Sequence, residues 1–272
     1  VKASITGAIL SDLLLVTGVA MLVGGLKYSE QSFQETMVRT NGAAMTLAVM
    51  AMALPASLIS TSGIDDPVAI HGLSITVAVI LIAIYFFTLI FSLATHNHLF
   101  DPQHIQNDDA EPSQATESDI NLPSWIIQLI LSTALLAYQS ESFVHFLEPA
   151  TEQLGLSALF TGIIIIPIIG GFSEYVPAVK GAWKDQMDLP ISLAMGSSLL
   201  VALLIAPALI LIGSLIGQPM NLDFTAFEVI ALIFSVLIVN LVNMDAKSNW
   251  LEGVLLLGMF SIFGAAFYYY PS

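Results

Sequence analysis

Cysteine is absent from this sequence of 272 residues, and charged side chains are scarce. Without cysteine there can be no disulfide, thiolate nucleophile, cysteine-bound zinc or iron–sulfur cluster. Charged residues make up 10% of the chain and hydrophobic residues 56%, and the mean hydropathy is +0.86. Soluble globular domains carry about 25% charged residues. The composition therefore predicts an integral membrane protein, with membrane lipid as its surroundings.

Positive charge is especially rare. Six Lys and Arg stand against 21 Asp and Glu, which gives a net charge of −15. This is the wrong sign for holding nucleic acid or an anionic lipid surface. The charge balance favours cations as partners.

Eight segments are long and apolar enough to cross a bilayer as helices, which takes about 20 residues each. The apolar runs are continuous, whereas strands of a membrane barrel would alternate polar and apolar residues. The predicted fold is therefore an all-α bundle. Its spans cover 3 to 26, 42 to 60, 73 to 95, 124 to 146, 154 to 183, 188 to 217, 224 to 243 and 250 to 270.

The basic residues indicate the orientation of these spans. Threading the chain places only Lys2 on one side, and the positive-inside rule makes the other side cytoplasmic. The cytoplasmic side receives Lys27, Arg39, Lys180, Lys184 and Lys247. The acidic segment 96–123 is then cytoplasmic too, either as a collector of cations or as a plain solvated linker.

A glycine spacing indicates an internal repeat. Gly7 and Gly24 in the first span are spaced as Gly196 and Gly213 are in the sixth. Matching helices are separated by five spans, so they cross in opposite directions, as in transporters built from inverted repeats. Residues 1–95 are then a three-helix remnant of the first repeat, 96–123 a linker, and 124–272 a complete second repeat. We expect the remaining helices of the first repeat upstream of Val1.

Glu174 is the strongest candidate for a functional residue, because a carboxylate inside a membrane is costly. It follows Gly170 and Gly171 between two prolines, a pattern that breaks a helix and frees backbone carbonyls. Carbonyls, a carboxylate and nearby hydroxyls suit a hard cation such as Ca²⁺, which takes six to eight oxygen ligands. The hydroxyls are those of Ser173, Ser197 and Ser198. Alternatively, Glu174 reaches water at the cytoplasmic end and caps a kinked helix.

Other acids within or near the spans have different expected roles. Asp12 lies mid-span beside a stripe of small residues, where it lines a cavity. The stripe consists of Ser4, Gly7, Ser11, Gly18 and Gly25. Glu141 lies deep in the fourth span and is the candidate for handling protons, with Glu174, because a carboxylate can exchange a proton for a metal ion. Glu228 and Glu252 lie near span ends, where acids are ordinarily interfacial.

Several stretches resemble the Ca²⁺/H⁺ exchangers of the calcium/cation antiporter superfamily, in order and spacing. The matching stretches are 2–7 (KASITG), 95–100 (THNHLF), 140–141 (SE), 184–189 (KDQMDL), 194–198 (AMGSS) and 248–253 (SNWLEG). The resemblance implies an eleven-helix fold, of which this chain would be helices four to eleven. It also implies that Glu174 is the second of two cation-binding glutamates and that Glu141 matches an acid linked to proton exchange.

The chain departs from the family pattern in its signature. Where the family usually reads Gly-Asn-Ala-Ala-Glu-His, this chain reads GGFSEY over 170–175. Leu200 stands where a glutamine is expected, and Asp12 where an asparagine is expected. Lost neutral ligands and an added acid bear on which cation is preferred.

The expected function is secondary active antiport of a cation, most simply Ca²⁺, against H⁺. No enzymatic activity or cofactor is expected. The alternatives are an exchanger of Mn²⁺, Mg²⁺ or Na⁺ and a membrane homologue that does not transport. The expected location is a prokaryotic plasma membrane or, alternatively, a vacuolar one. Because half of the predicted site lies upstream of Val1, residues 1–272 alone are not expected to transport.

Overall fold

A computed structural model describes residues 1–62, 66–95 and 122–270 of the chain, and these residues are mainly helical. Nine helices are distinguished here. They are α1 (Lys2–Gly25), α2 (Glu35–Ser62), α3 (Pro67–Ile90), α4 (Leu122–Gln153), α5 (Ala158–Gly170), α6 (Phe172–Trp183), α7 (Asp188–Leu215), α8 (Ala226–Val242) and α9 (Trp250–Tyr269).

Three of the long helices contain a stretch of π-helix. These stretches are Ser11–Val16 in α1, Thr161–Ile165 in α5 and Val201–Ile205 in α7. A fourth, Phe91–Thr95, continues α3. If Gly7 is aligned with Gly196, the stretch in α7 falls opposite residues 12–16, so the two helices share this irregularity. The division into repeats itself stays a prediction.

Six of the described helices are long and apolar enough to cross a membrane: α1, α2, α3 with its extension, α7, α8 and α9. The pair α5 and α6 becomes a seventh span if its 55° bend is included. The predicted span 124 to 146 lies inside α4, which has 32 residues but is not among these six. Gln128, Gln139 and Glu141 dilute its apolar run. Its crossing stays a prediction.

Most predicted spans agree with the helices, but α2 and α3 begin a turn or two earlier than predicted. The prediction started them at 42 and 73, whereas they begin at Glu35 and Pro67. Hydropathy marks only the lipid-immersed part of a helix, and a helix can continue into the polar interface. Asp66 caps α3 by accepting a hydrogen bond from the Val68 amide at 3.0 Å.

The helix α1 is the centre of the bundle. In its most apolar segment of 18 residues, 78% of the residues are buried, whereas only 11% are buried in the corresponding segment of α3. It packs on α5, α6 and α9 through backbones that approach closely, because glycine leaves room for them. A Cβ added at Gly7 would overlap the Ile163 backbone, and one at Gly253 would overlap the Leu22 backbone. The predicted stripe of small residues is therefore a packing surface.

The connections at one end of the bundle pack together. Residues 31–32 pair with 247–248 as a short antiparallel ribbon. The Lys27 ammonium donates to the Trp183 carbonyl at 2.8 Å, and the Gln31 amide donates to Asp185 at 2.9 Å. Lys247 bonds Glu30 at 3.0 Å. The basic connections predicted for one side thus meet at one end, called here the basic end.

Replacing Gly253 by leucine is expected to destabilise the bundle. The added side chain would meet the backbone of α1, which cannot move aside as a flexible side chain can, and overpacking typically costs about 1–3 kcal/mol. We expect a clearly lower melting temperature in detergent, measured by intrinsic fluorescence. Gly258→Leu is the matched control, because nothing lies within 4 Å of a Cβ at Gly258. Equal melting temperatures for the two variants would contradict the packing assigned to α1 and α9.

Candidate functional site

The bend between α5 and α6 brings Glu174 to the start of a helix. The Gly171 amide donates to the Pro167 carbonyl at 2.8 Å and ends α5, and the Glu174 amide donates back to the Gly171 carbonyl at 2.9 Å. Glu174 therefore lies in the first turn of α6, where exposed amide dipoles favour a negative charge. Gly170 and Gly171, which follow Pro167 by three and four residues, account for the bend, because glycine and proline both have low helix propensity.

The Glu174 carboxylate faces α7. The Ser197 hydroxyl donates to Glu174 Oε1 at 3.0 Å. The other oxygen, Oε2, is buried and has no hydrogen-bond partner among the described residues. The same holds for the hydroxyl of the neighbouring Ser198, which is fully buried.

The helix α1 also contributes to this cluster, through Asp12, which lies against Glu174 and the two serines. The Asp12 side chain is 4% exposed and interacts with Glu174, Ser197 and Ser198. Its Oδ2 atom is buried without a partner among the described residues. Asp12 belongs to the π-helical stretch Ser11–Val16, and π-bulges are frequent at functional sites. Two carboxylates thus lie together, one on the buried Asp12 and one on the half-buried Glu174.

A second contact joins the same helices beside the carboxylates. The hydroxyls of Ser11 and Tyr175 lie 3.1 Å apart and form a hydrogen bond between α1 and α6. Tyr175 stands where the family pattern has histidine. Its ring also lies over Gly171, because a Cβ there would be 3.0 Å from the tyrosine oxygen. The departure from the family signature therefore has a structural role at the edge of the site.

This arrangement suits a cation better than a neutral ligand. Buried polar atoms are normally hydrogen-bonded, and those left over at one place need an explanation. Here the unpaired atoms are all oxygens, on Asp12, Glu174 and Ser198. Oxygens of carboxylates and hydroxyls are the ligands of hard cations such as Ca²⁺. Among the described residues, no three Asp, Glu or His side chains converge on one point, so these residues contribute two carboxylates to the site.

Some of the residues predicted for this site do not join the cluster. Ser173 and Gly170 are exposed. Ser173 directly precedes Glu174, and consecutive helical residues point about 100° apart, so both cannot face α7. The Gly171 carbonyl, expected to be free, accepts hydrogen bonds from the amides of Glu174 and Tyr175. The bend closes its own hydrogen bonds and leaves that carbonyl little capacity for a cation.

Glu141 lies in the middle of α4, as the sequence predicts, but its side chain lies outside the described residues. Residues 96–121 of the acidic linker also lie outside the described residues, and residues 122–123 are the first two of α4. The roles assigned to Glu141 and to the linker therefore stay predictions.

Glu228 lies in the first turn of α8, near a span end as predicted, but it is only 2% exposed and is therefore buried against protein. The Thr225 amide and hydroxyl each donate to Glu228 Oε2 at 2.9 Å, and the Glu228 amide donates to the Thr225 hydroxyl at 3.2 Å. The Thr6 hydroxyl of α1 donates to Oε1 at 3.4 Å. A threonine three residues before a glutamate is the signature of a capping box, and this signal was available in the sequence.

The fold and the site together define a class: an all-helical integral membrane protein with a cluster of carboxylates inside its bundle, as ion-transport proteins have. Comparison with known proteins is more specific. Residues 124–269 match the family model described as sodium/calcium exchanger protein. The match covers more than half of the chain, and the chain belongs to this family.

Two cyanobacterial relatives extend the likeness to the whole chain. A protein of Aphanothece halophytica named Ca²⁺/H⁺ antiporter is 47% identical over 281 residues, covering 100% of this chain and 74% of its own length. One of the same name from Synechocystis is 46% identical over 282 residues, covering 100% and 76%. A vacuolar calcium ion transporter of Schizosaccharomyces pombe is 33% identical over 275 residues, covering 100% and 65%.

Solved structures agree in fold. The structure of native YfkE superposes with a TM-score of 0.78 at 30% identity, covering 98% of this chain and 74% of the other. The H⁺/Ca²⁺ exchanger CAX superposes with a TM-score of 0.67 at 14% identity, covering 97% and 67%. At that identity the second likeness shows the fold alone.

Removing the cap at Glu228 is expected to destabilise the protein. Thr225→Val deletes the hydroxyl that both donates to Glu228 and accepts from its amide, and loss of such a cap costs about 0.5–2 kcal/mol. We expect a lower melting temperature than for Thr76→Val, whose hydroxyl bonds only to its own helix at Gly72. The measurement is thermal unfolding in detergent. Equal losses in both variants would show that the capping box adds nothing.

Proposed function

We propose that the protein is a secondary active antiporter that exchanges Ca²⁺ for H⁺. The observation that carries the proposal is the pair of carboxylates formed by the buried Asp12 and the half-buried Glu174, each with a buried oxygen that has no partner among the described residues. The relatives named Ca²⁺/H⁺ antiporters, 46% and 47% identical along the whole chain, support Ca²⁺ as the cation.

The chemistry follows from what a carboxylate oxygen can hold. It accepts either a proton or a cation, and the two compete for the same lone pairs. Two adjacent carboxylates match the double charge of Ca²⁺, and like charges repel when the cation leaves. Protons then neutralise the pair. A site that is stable when loaded with either ion, and costly when empty, couples the two movements.

Each side chain has a separate part in this scheme. Glu174 and Asp12 hold the cation, and the hydroxyls of Ser197 and Ser198 supply neutral oxygens from α7. Gly170, Gly171 and Ser173 have no part in the described cluster, which is therefore smaller than the sequence predicts. Glu141 on α4 serves proton transfer in this proposal, on the strength of the family resemblance.

The exchange moves Ca²⁺ out of the cytoplasm while H⁺ flows in. The basic end of the bundle faces the cytoplasm by the positive-inside rule. The cyanobacterial relatives favour a prokaryotic plasma membrane, although the vacuolar transporter of Schizosaccharomyces pombe is also similar.

The test is Ca²⁺ uptake driven by a pH gradient in proteoliposomes containing the full-length protein. We expect Glu174→Gln to reduce the initial rate at least a hundredfold, because the neutral amide cannot bind protons and holds Ca²⁺ weakly. Glu30→Gln is the control, since Glu30 is an exposed acid outside the carboxylate site, paired with Lys247. Uptake by Glu174→Gln at the wild-type rate would refute the assignment of the site.

The same assay separates the alternative cations. Mn²⁺, Mg²⁺ and Na⁺ are added as competitors at equal concentration, and we expect unlabelled Ca²⁺ to compete best. Stronger competition by another cation would make the protein an exchanger of that ion, with the altered signature as the cause. The absence of flux for every cation would indicate a membrane homologue that does not transport.

Changes around Glu174 should alter cation affinity in a graded way. Asp12→Asn keeps the shape but removes one of two charges, so we expect the KM for Ca²⁺ to rise about tenfold, a difference of about 1.4 kcal/mol in binding. Ser197→Ala removes one hydrogen bond to Glu174 and should have a smaller effect. Ser192→Ala is its matched control, because Ser192 lies on the same helix and bonds only to Leu189. An unchanged KM in Asp12→Asn would exclude Asp12 from the site.

A further inference from the structure

A groove on the outside of the bundle, between α2 and α8, is separate from the carboxylate site. It has a volume of about 350 Å³ and is lined mainly by apolar side chains. Several of these are exposed, among them Met50 (59%), Leu237 (50%) and Leu241 (61%). Both helices are apolar enough to cross the membrane, so we expect their exposed apolar side chains in this groove to face lipid.

At the basic end the groove continues into a cavity of about 220 Å³, called here the polar cavity for the Arg39, Asn240 and Asn243 side chains in its otherwise mainly apolar lining. The two share Thr46, Asn240 and Met244 among their lining residues. Arg39 and Asn243 line the polar cavity as well. One continuous depression therefore runs from a cationic mouth into an apolar trough.

The polar cavity has hydrogen-bonding capacity that the described residues do not use. Asn243 is 3% exposed, and neither its amide nitrogen nor its amide oxygen has a partner among them. A buried amide without partners costs about 1–3 kcal/mol, so a ligand that bonds it is favoured. Asn240 is held in place, because its amide nitrogen donates to the Thr46 hydroxyl at 2.9 Å.

Arg39 gives the cavity its charge. Its guanidinium contacts Glu35 at 3.1 Å, and the two side chains are 77% and 58% exposed. Ion pairs at the surface contribute little to stability, so this pair is easily exchanged for another. A guanidinium has five N–H donors, so it can bind a phosphate in addition to Glu35. The other acid at this end of α8, Asp245, accepts from the Lys247 amide and is exposed.

We propose that this depression binds one anionic phospholipid, with its phosphate at Arg39 and the amide nitrogen of Asn243 and one acyl chain in the apolar groove. The charge of the mouth and the hydrophobicity of the trough match the two ends of such a molecule. The basic end faces the leaflet that carries anionic lipids. The net charge of −15 opposes a general attraction of the protein to that leaflet. Salt screens charges that are more than about 8–10 Å apart, so an anionic headgroup must be bound locally, close to Arg39.

The experiment is native mass spectrometry of the purified full-length protein titrated with three probes. They are dioleoyl phosphatidylglycerol, dioleoyl phosphatidylcholine with the same chains, and glycerol phosphate, which has no chains. We expect one phosphatidylglycerol to bind at least tenfold more tightly than phosphatidylcholine, and no retention of glycerol phosphate. Equal affinity for the two lipids would overturn the proposal, as would equally tight binding of glycerol phosphate.

Variants separate the two halves of the site. Arg39→Gln should reduce the preference for phosphatidylglycerol to threefold or less and leave phosphatidylcholine unaffected, whereas Glu35→Gln should increase that preference. Leu237→Trp, which fills the groove, should weaken both lipids. The controls are Lys184→Gln, a basic residue exposed at the same end, and Ile262→Trp, an exposed residue of α9. If a control variant matches its partner, lipid binding is diffuse and the site does not exist.

Discussion

The contact between Asp12 and Glu174 is the constraint on which the rest of the structure depends. Carboxylates within an apolar bundle are costly, and two placed side by side repel each other when both are charged. Among the described residues, the Ser197 hydroxyl donates to Glu174, while one oxygen of each carboxylate keeps no partner. A bound cation or protons would stabilise such a pair, and in the proposed mechanism this requirement couples the two ions.

The backbone around the pair is irregular where the pair requires it. Glu174 follows a 55° bend, and Asp12 lies in a π-helical stretch. The helix α1 reaches this position because glycine contacts let it pack closely on α5 and α9. Regular helices with larger side chains at these crossings would hold the carboxylates apart. Local departures from ideal helix geometry are therefore part of the site.

The carboxylate pair and the depression on the surface of the bundle differ in position and in chemistry. The carboxylate pair is central, and the depression between α2 and α8 is peripheral and open to lipid. The first offers oxygens suited to a hard cation, while the second combines a guanidinium, amides and an apolar trough. The side chains of the two sites stand on different helices, although α1 and α7 both pack against helices that line the depression, so each site can be changed by its own substitutions.

The membrane class, the helical fold and most spans could be predicted from the sequence, because each follows from a run of neighbouring residues. Glu174 and Asp12 were identified in the same way, since an acid inside an apolar run is conspicuous. The buried position of Glu228 was missed although its capping partner, Thr225, lies three residues away. The prediction treated it by its distance from the span end instead of by its local motif.

The sequence by itself determined which segments are apolar, where the chain bends and which acids the membrane encloses, since these depend on local composition. Only the tertiary structure decided that Asp12 of α1 meets Glu174 of α6 and Ser197 of α7, and that Ser173 points away. Contacts between helices distant in sequence depend on how the helices rotate and cross. Those rotations are set by side-chain packing over the whole bundle, which no single segment encodes.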